Sequence, residues 1–332
     1  MQRFRELTPI DQKTSHALYL LKAFAILSAV CAHCTGQKFL GAQILRGMFG
    51  TIGVPIFMIV SGFLFKPDEP AKLFWVKKFR SLIVPWLVWS GLVYLASCLL
   101  GIVSPSLSYF LGWVLGHESY LYFVPVLLSC FLIFRIFKAQ CTIWISMVVT
   151  ALSIIASCAD LWPFSHVVTN YQNVLNWVGF FGLGLLLRQI GMQTVYGQIF
   201  RFRFLLLALW GITAGLYGAF FKAGYWSPLS LPFELLCFCV LLWLAMKLGH
   251  RPVLQQIGKY TYPIYLTHMF FGIGIVNRLF MDRLRPVLGI GEYPMLILQP
   301  LSIVLLSLGL FQIGVFLAKK LKLTRILWIF GL

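Results

Sequence analysis

The chain has 332 residues, 60% hydrophobic and only 11% charged, with a formal net charge of +18. So much apolar matter exceeds what one soluble core of this size hides, so the composition excludes a water-soluble enzyme and describes a polytopic protein with membrane lipids as its surroundings. The charge does not point to nucleic acid, because Lys and Arg are set between apolar runs rather than gathered into a patch, and no nucleic-acid partner is expected.

Ten apolar runs approach or exceed the roughly 20 residues that cross a bilayer. They lie near residues 16–35, 44–66, 81–100, 120–137, 142–160, 171–188, 203–221, 229–248, 260–279 and 293–317. Backbone polar groups in lipid must be satisfied within the chain, so the expected fold is all-α, about ten transmembrane helices in a single domain over residues 1–332. No repeat, low-complexity tract or Pro/Gly/Ser linker divides it. The first run holds Lys22 and lacks a small-residue cleavage site followed by a polar domain, so it does not read as a signal peptide.

Lys22 and His33 stand in that first run. Ionisable side chains in hydrocarbon are costly, about 3 kcal/mol on insertion scales, and mark pathways or chemistry. Eleven residues at about 100° each is close to three full turns, so both side chains leave one helix face, roughly 16 Å apart along the axis. Cys31-Ala32-His33-Cys34 also reads as C-x-x-C, but its context lacks the strand of a redox motif and the further ligands of a zinc site, and no metal is expected. The other cysteines fall in or beside apolar runs, where free Cys behaves as a small hydrophobe.

The second run ends in VPIFMIVSGFLF, where Ser61 and Gly62 allow either close helix packing or a polar seam. Between the second and third runs lies KPDEPAKLFWVKKFR, carrying Lys77, Lys78 and Arg80. Topogenic charge accounts for it by itself, yet Arg80 opens FRSLIVPWLVWS, where a guanidinium at the helix mouth suits phosphate. Before the fourth run, GHESYLYFVPVLL places His117 and Glu118 just outside and Tyr120 and Tyr122 at the interface. In the ninth run, GKYTYPIYLTH buries His268 about 12 Å deep, where packing and function are equally good readings.

Most of the 27 Lys and Arg fall in segments that a cytoplasmic N-terminus places inside, whereas Lys38, Arg46, Lys222, Arg278, Arg283 and Arg285 fall outside. The positive-inside rule therefore puts both termini in the cytoplasm. The loop near 280–292, with Arg283 and Arg285 in it and Arg278 just before it, reads as a solvated loop or an anion site.

Taken in order, these segments resemble acyltransferase family 3, the integral membrane acyltransferases. Its Arg-x10-His element corresponds to Lys22 and His33, its Ser-Gly-Phe element lies within IFMIVSGF, its basic run leading to Pro is KKFRSLIVPW, its Leu-Trp-Phe-Leu element is Leu121 to Val124, and its Gly-x-x-Ser-Tyr-x-Ile-Tyr-Leu-x-His element is Gly258 to His268. Lys22 replaces an Arg and loses the planar fork, Tyr122 replaces a Trp, and Thr261 replaces a Ser.

The resemblance implies an O-acyltransferase, in the first instance an O-acetyltransferase, of the bacterial cytoplasmic (inner) membrane. It would move an acyl group from cytoplasmic acetyl-CoA or another acyl-CoA to a hydroxyl of an exopolysaccharide or lipid-linked sugar. His33 is then the expected base or transient acyl carrier, since an imidazole near neutral pKa suits removal of an alcohol proton. Lys22 lies on its helix face, and Glu118 and Glu234 are candidate acids to orient it. Lys77, Lys78 and Arg80 would hold CoA phosphates, with Ser61 and His268 completing the cofactor site.

A transporter or flippase for a lipid-linked glycan is the competing class, and it would be expected to show internal symmetry with broken helices. The sequence contains no Asp-x-Asp pair, no His-x4-Asp and no Walker-type loop, so a metal-dependent glycosyltransferase, a His-x4-Asp acyltransferase and a nucleotide-driven motor are disfavoured.

Overall fold

A computed structural model describes residues 7–34, 40–117, 119–137, 141–162, 168–220, 224–270, 274, 283 and 285–332. Among the described residues every regular element is a helix. The first half comprises α1 (Gln12–His33), α2 (Leu40–Thr51), α3 (Gly53–Leu64), α4 (Ala71–Lys78), α5 (Val84–Leu99), α6 (Leu107–Leu115), α7 (Phe123–Ile136) and α8 (Cys141–Cys158). The second half comprises α9 (Val178–Ile190), α10 (Met192–Arg201), α11 (Arg203–Phe220), α12 (Ser230–Leu248), α13 (Pro252–Lys259), α14 (Thr261–Thr267), α15 (Arg285–Leu288) and α16 (Glu292–Lys320).

Each of the ten apolar runs contains a helix. Among the described residues five helical stretches are long and apolar enough to cross a membrane, or seven if two bent pairs count as one span each. The pairs are Leu107–Leu115 with Tyr120–Ile136, bent by 54°, and Val174–Ile190 with Met192–Arg201, bent by 97°. Thr142–Cys158 and Arg203–Ala219 are apolar but shorter. The ninth run is described as far as α14 and little beyond, and most of the arginine-bearing stretch before α15 lies outside the described residues. Large apolar side chains such as Leu99, Ile145, Leu152, Ile155, Ile212, Ile313 and Phe316 are exposed, the surface a lipid solvent tolerates.

Helix α1 is the axis of the bundle. It is apolar on every side, and Ala17, Leu18, Leu20, Leu21, Ala23, Ala25 and Ile26 are all buried. It packs against α2, α3, α12, α13, α14 and α16. Its start is set by Asp11, whose carboxylate accepts from the Thr14 N–H at 2.7 Å. Its end is closed by Arg46, which donates from Nη1 to the Cys34 carbonyl at 2.7 Å.

The Asp11 cap yields a pH-dependent prediction. The hydrogen bond from Thr14 holds this carboxyl below its ordinary value of 3.8. A depressed folded pKa means that the contribution is present above the unfolded pKa and lost as pH falls through the folded one. Asp11→Ala is expected to cost about 1 kcal/mol. Thermal melts in detergent should show the gap between wild type and variant near pH 6, about two units above the free carboxyl pKa, and show it closing near pH 3.

Small residues bring backbones together where hydrophobic driving force is absent. A Cβ on Gly62 would overlap the Phe181 carbonyl, one on Gly184 the Ile59 carbonyl, and one on Gly258 the Tyr19 carbonyl. Gly62 and Gly184 thus lock α3 to α9, and Gly258 seats α13 on α1. Between α4 and α5 the chain makes a π turn over Phe79–Ile83 just before Pro85, which has no N–H to continue the ladder and whose ring crowds the carbonyl four residues back.

Candidate functional site

His33 is the last residue of α1, so it sits where a buried helix axis ends. The turn that follows α14 carries His268 to it, with ring centroids 5.3 Å apart. A short 3-10 turn, Tyr120–Tyr122, supplies the third member, Tyr120, whose ring lies 4.8 Å from His268 and 6.4 Å from His33. Two hydrogen bonds fasten this turn to α14: Tyr120 Oη donates to the Leu266 carbonyl at 2.5 Å, and Tyr265 Oη donates to the Tyr120 carbonyl at 2.6 Å. The two imidazoles are therefore held by three elements distant in sequence.

The tautomer of His268 follows from its partner. Nδ1 lies 2.7 Å from the Tyr265 carbonyl, which only accepts, so Nδ1 carries the proton. In the neutral ring Nε2 is then a lone pair. It is buried without a hydrogen-bond partner among the described residues, in a side chain 1% exposed. His33 is half-buried. The cluster thus offers one enclosed acceptor nitrogen beside a second, more accessible imidazole, an arrangement suited to moving a proton.

Below the imidazoles lies a cavity of about 340 Å³ lined by Lys22, Ser61, Lys78, Lys259, Thr261 and Tyr265 among others. Tyr265 joins the two regions, since it lines the cavity while its ring sits 5.7 Å from Tyr120 and 6.0 Å from His268. Phe123 does the same, lining the cavity 5.5 Å from Tyr265. Lys22 rests 4.3 Å above the Tyr19 ring, and Lys78 rests 4.3 Å above Phe131. Cavities of about 470 and 410 Å³ elsewhere are lined almost wholly by apolar side chains, as clefts filled by lipid tails would be.

Three of the expected residues, Lys22, Ser61 and Lys78, thus meet in one cavity, and His33 meets His268 beyond it. The rest of the basic run diverges. Lys77 pairs with Glu69 at the surface, and the hydrogen bond from its ammonium holds that carboxyl below the usual carboxylate range. Arg80 turns to the other side and lies 6.0 Å from the Trp328 ring centroid, in a separate cleft.

Glu118 lies outside the described residues. Glu234 is buried in α12 within electrostatic range of Tyr122, Tyr217 and Tyr225 rather than against the His33 ring. Among the described residues no three His, Cys, Asp or Glu gather closely enough to hold a metal ion. The seven cysteines whose side chains are described are free thiols.

Two members of the site were not singled out from sequence. Lys259 stands in GKYTYPIYLTH one residue after the packing Gly258, and Tyr265 stands three residues before His268 on the same face. The i, i+3 spacing of Tyr265 and His268 was the available signal.

A family model described as an acyltransferase domain matches residues 15–318, nearly the whole chain. No curated protein and no solved structure matches it.

Proposed function

The chain belongs to acyltransferase family 3, a multi-pass membrane acyltransferase, and on that premise we propose that it is an O-acyltransferase moving an acetyl group from cytoplasmic acetyl-CoA to a hydroxyl of a surface polysaccharide or lipid-linked glycan. The membrane is the bacterial cytoplasmic one, with both termini inside, as the distribution of Lys and Arg favours. The observation that carries this reading is the pairing of His33 with His268 at the far end of a lysine-lined cavity.

The chemistry runs as follows. The acceptor hydroxyl oxygen attacks the thioester carbonyl carbon while His33 takes the hydroxyl proton. The carbon–sulfur bond then breaks, and the CoA thiolate leaves with the proton that the imidazolium returns. A transient acyl-imidazole would divide the same transfer into two steps. His268, with its proton fixed on Nδ1, keeps an acceptor nitrogen beside His33 and stabilises the imidazolium that forms there.

Lys22, Lys78 and Lys259 supply positive charge to the phosphates and amide arm of the donor. Ser61 and Thr261 offer hydroxyls to the same arm. Lys77 and Arg80, on other faces, would meet phosphate only at the mouth.

Contacts between a cation and a phosphate are worth about 1.5–3 kcal/mol, so Lys22→Met and Lys78→Met are each expected to raise KM for acetyl-CoA by roughly tenfold or more with little change in kcat. Lys77→Ala and Arg80→Ala should have smaller effects. The measurement is acetyl-CoA binding and turnover by the purified protein in detergent. A wild-type protein that neither binds nor turns over acetyl-CoA contradicts the reading and favours a glycan flippase, which has no use for a thioester.

A further inference from the structure

Glu234 is a buried polar group that the imidazole site does not use. It lies just past the first turn of α12, is 3% exposed, and its Oε1 has no hydrogen-bond partner among the described residues. Two more buried groups share the condition. Ser230 Oγ lies four residues earlier on the same helix face, and Ser227 Oγ lies in the turn that leads into the helix; neither has a partner among the described residues. Buried polar atoms are nearly always satisfied, so three orphans at one helix end need a cause.

The surroundings supply it. Tyr122, Tyr171, Trp177, Tyr225 and Trp226 form one connected wall of rings; Tyr122 and Tyr225 lie within electrostatic range of Glu234, and Trp226 directly precedes Ser227. Tyr122 stacks on Trp177 at 6.4 Å and 30° and meets Tyr171 at 5.4 Å. Tyr225 and Trp226 close on Trp177 at 5.4 and 6.0 Å, and on Tyr171 at 5.7 and 5.4 Å. Trp177 forms the floor at 1% exposed, whereas Tyr171 is 40% exposed, so the wall opens at Tyr171. An interfacial belt of aromatics would be spread around the lipid boundary. These rings instead contact one another, and two of them lie within electrostatic range of a buried carboxyl.

Aromatic faces beside a carboxyl and free hydroxyls match a sugar ring. The C–H face of a pyranose packs on indole or phenol, and its hydroxyls exchange hydrogen bonds with a carboxyl and with serines. A lipid tail would leave all three polar groups unsatisfied. A quaternary ammonium would use the rings but not the hydroxyls.

The wall also adjoins the imidazoles. Tyr122 belongs to the same 3-10 turn as Tyr120, which touches His268 and His33. On the other side Tyr225 Oη donates to the Gly50 carbonyl at 3.0 Å, and Gly50 packs against Ala32, the residue before His33.

We propose that the cluster of Glu234, Ser230, Ser227 and the aromatic wall is the acceptor subsite, binding a hydroxylated pyranose ring at the edge that opens at Tyr171 so that a hydroxyl of the glycan reaches His33. This rests on the acyl-transfer reading above. Donor and acceptor then approach the imidazoles from different sides, through the lysine cavity and through the opening at Tyr171.

The test compares Glu234→Gln and Tyr171→Ala with wild type in two measurements: acetate released by mild alkali from purified envelope glycan of cells making each protein, and acetyl-CoA binding by each purified protein. Tyr171 is at the exposed edge, so its variant reports even where the buried exchange fails to fold. The expected result is acetyl-CoA binding within about twofold of wild type in both, with glycan acetate down at least tenfold for Glu234→Gln and severalfold for Tyr171→Ala. Unchanged acetate in both variants overturns the subsite while leaving acyl transfer standing. Loss of acetyl-CoA binding by wild type itself overturns the acyl-transfer reading, and the subsite with it. Quenching of tryptophan fluorescence by tetramethylammonium chloride, abolished in Glu234→Gln, would assign the cluster to a cation and overturn the subsite as well.

Discussion

His33→Ala is expected to lower acyl transfer to the envelope glycan by about 10²–10⁴-fold, the range that a positioned general base contributes. The protein should still insert and bind acetyl-CoA, because His33 is the terminal residue of α1 and is absent from the lining of the lysine cavity. Ala is also the best helix former, so the end of α1 is not weakened by the exchange. His268→Ala should cost less in rate, since His268 acts by facing His33, although it also removes a packed ring from between Tyr120 and Tyr265. Turnover in membranes, normalised to the amount of folded protein, measures both. Transfer by His33→Ala at the wild-type rate would remove the imidazole from the reaction.

The largest effect on folding is expected at the crossing of α3 and α9. Gly184→Val drives a branched side chain into the Ile59 carbonyl, and Gly62 meets the Phe181 carbonyl in the same way across the contact. Backbone cannot yield as the end of a flexible side chain can, so the cost is expected at or above the roughly 3 kcal/mol upper end of ordinary overpacking. The result should be little or no folded protein after extraction. Gly211→Ala in α11 is the control, because a Cβ there meets nothing within 4 Å. It should be neutral or stabilising by about 0.5–1 kcal/mol, the usual helix preference of Ala over Gly. Equal melting temperatures for the two variants would contradict this view of how the bundle is held.

The site was legible in the sequence where a single helix carries it. Lys22 and His33 could be placed on one face from their spacing alone, and α1 does run unbroken from one to the other. His268 was visible as an ionisable group in an apolar run. That it meets His33 was not, because the meeting depends on packing between distant segments, such as the seating of α13 on α1 at Gly258, rather than on any periodicity.

The basic run shows the opposite limit. Lys77, Lys78 and Arg80 read as one cluster in sequence, yet neighbours on a helix leave about 100° apart, and the π turn before Pro85 shifts the register again. One lysine therefore enters the cavity, one pairs with Glu69, and the arginine lies over Trp328. Glu234 was visible only as an acid near a helix end. The ring cluster to which Tyr122 and Tyr225, its electrostatic neighbours, belong comes from four separate segments, which no local pattern announces.

Apolar length alone did not show two bends in the backbone. The stretches around Gly116 and Gly191 bend sharply where glycines adopt positive φ, of 82° and 93°. At Gly116 any side chain would also strike the Tyr122 backbone, so the turn that delivers Tyr120 to the histidines requires glycine on both counts.

The most direct test of the central claim is the mass of envelope glycans from cells that make the protein and from cells that lack it. Transfer of an acetyl group through the His33 site predicts repeating units heavier by one acetyl group only when the wild-type protein is present. Identical mass spectra from both sources, with the protein shown to be folded in the membrane, would contradict it.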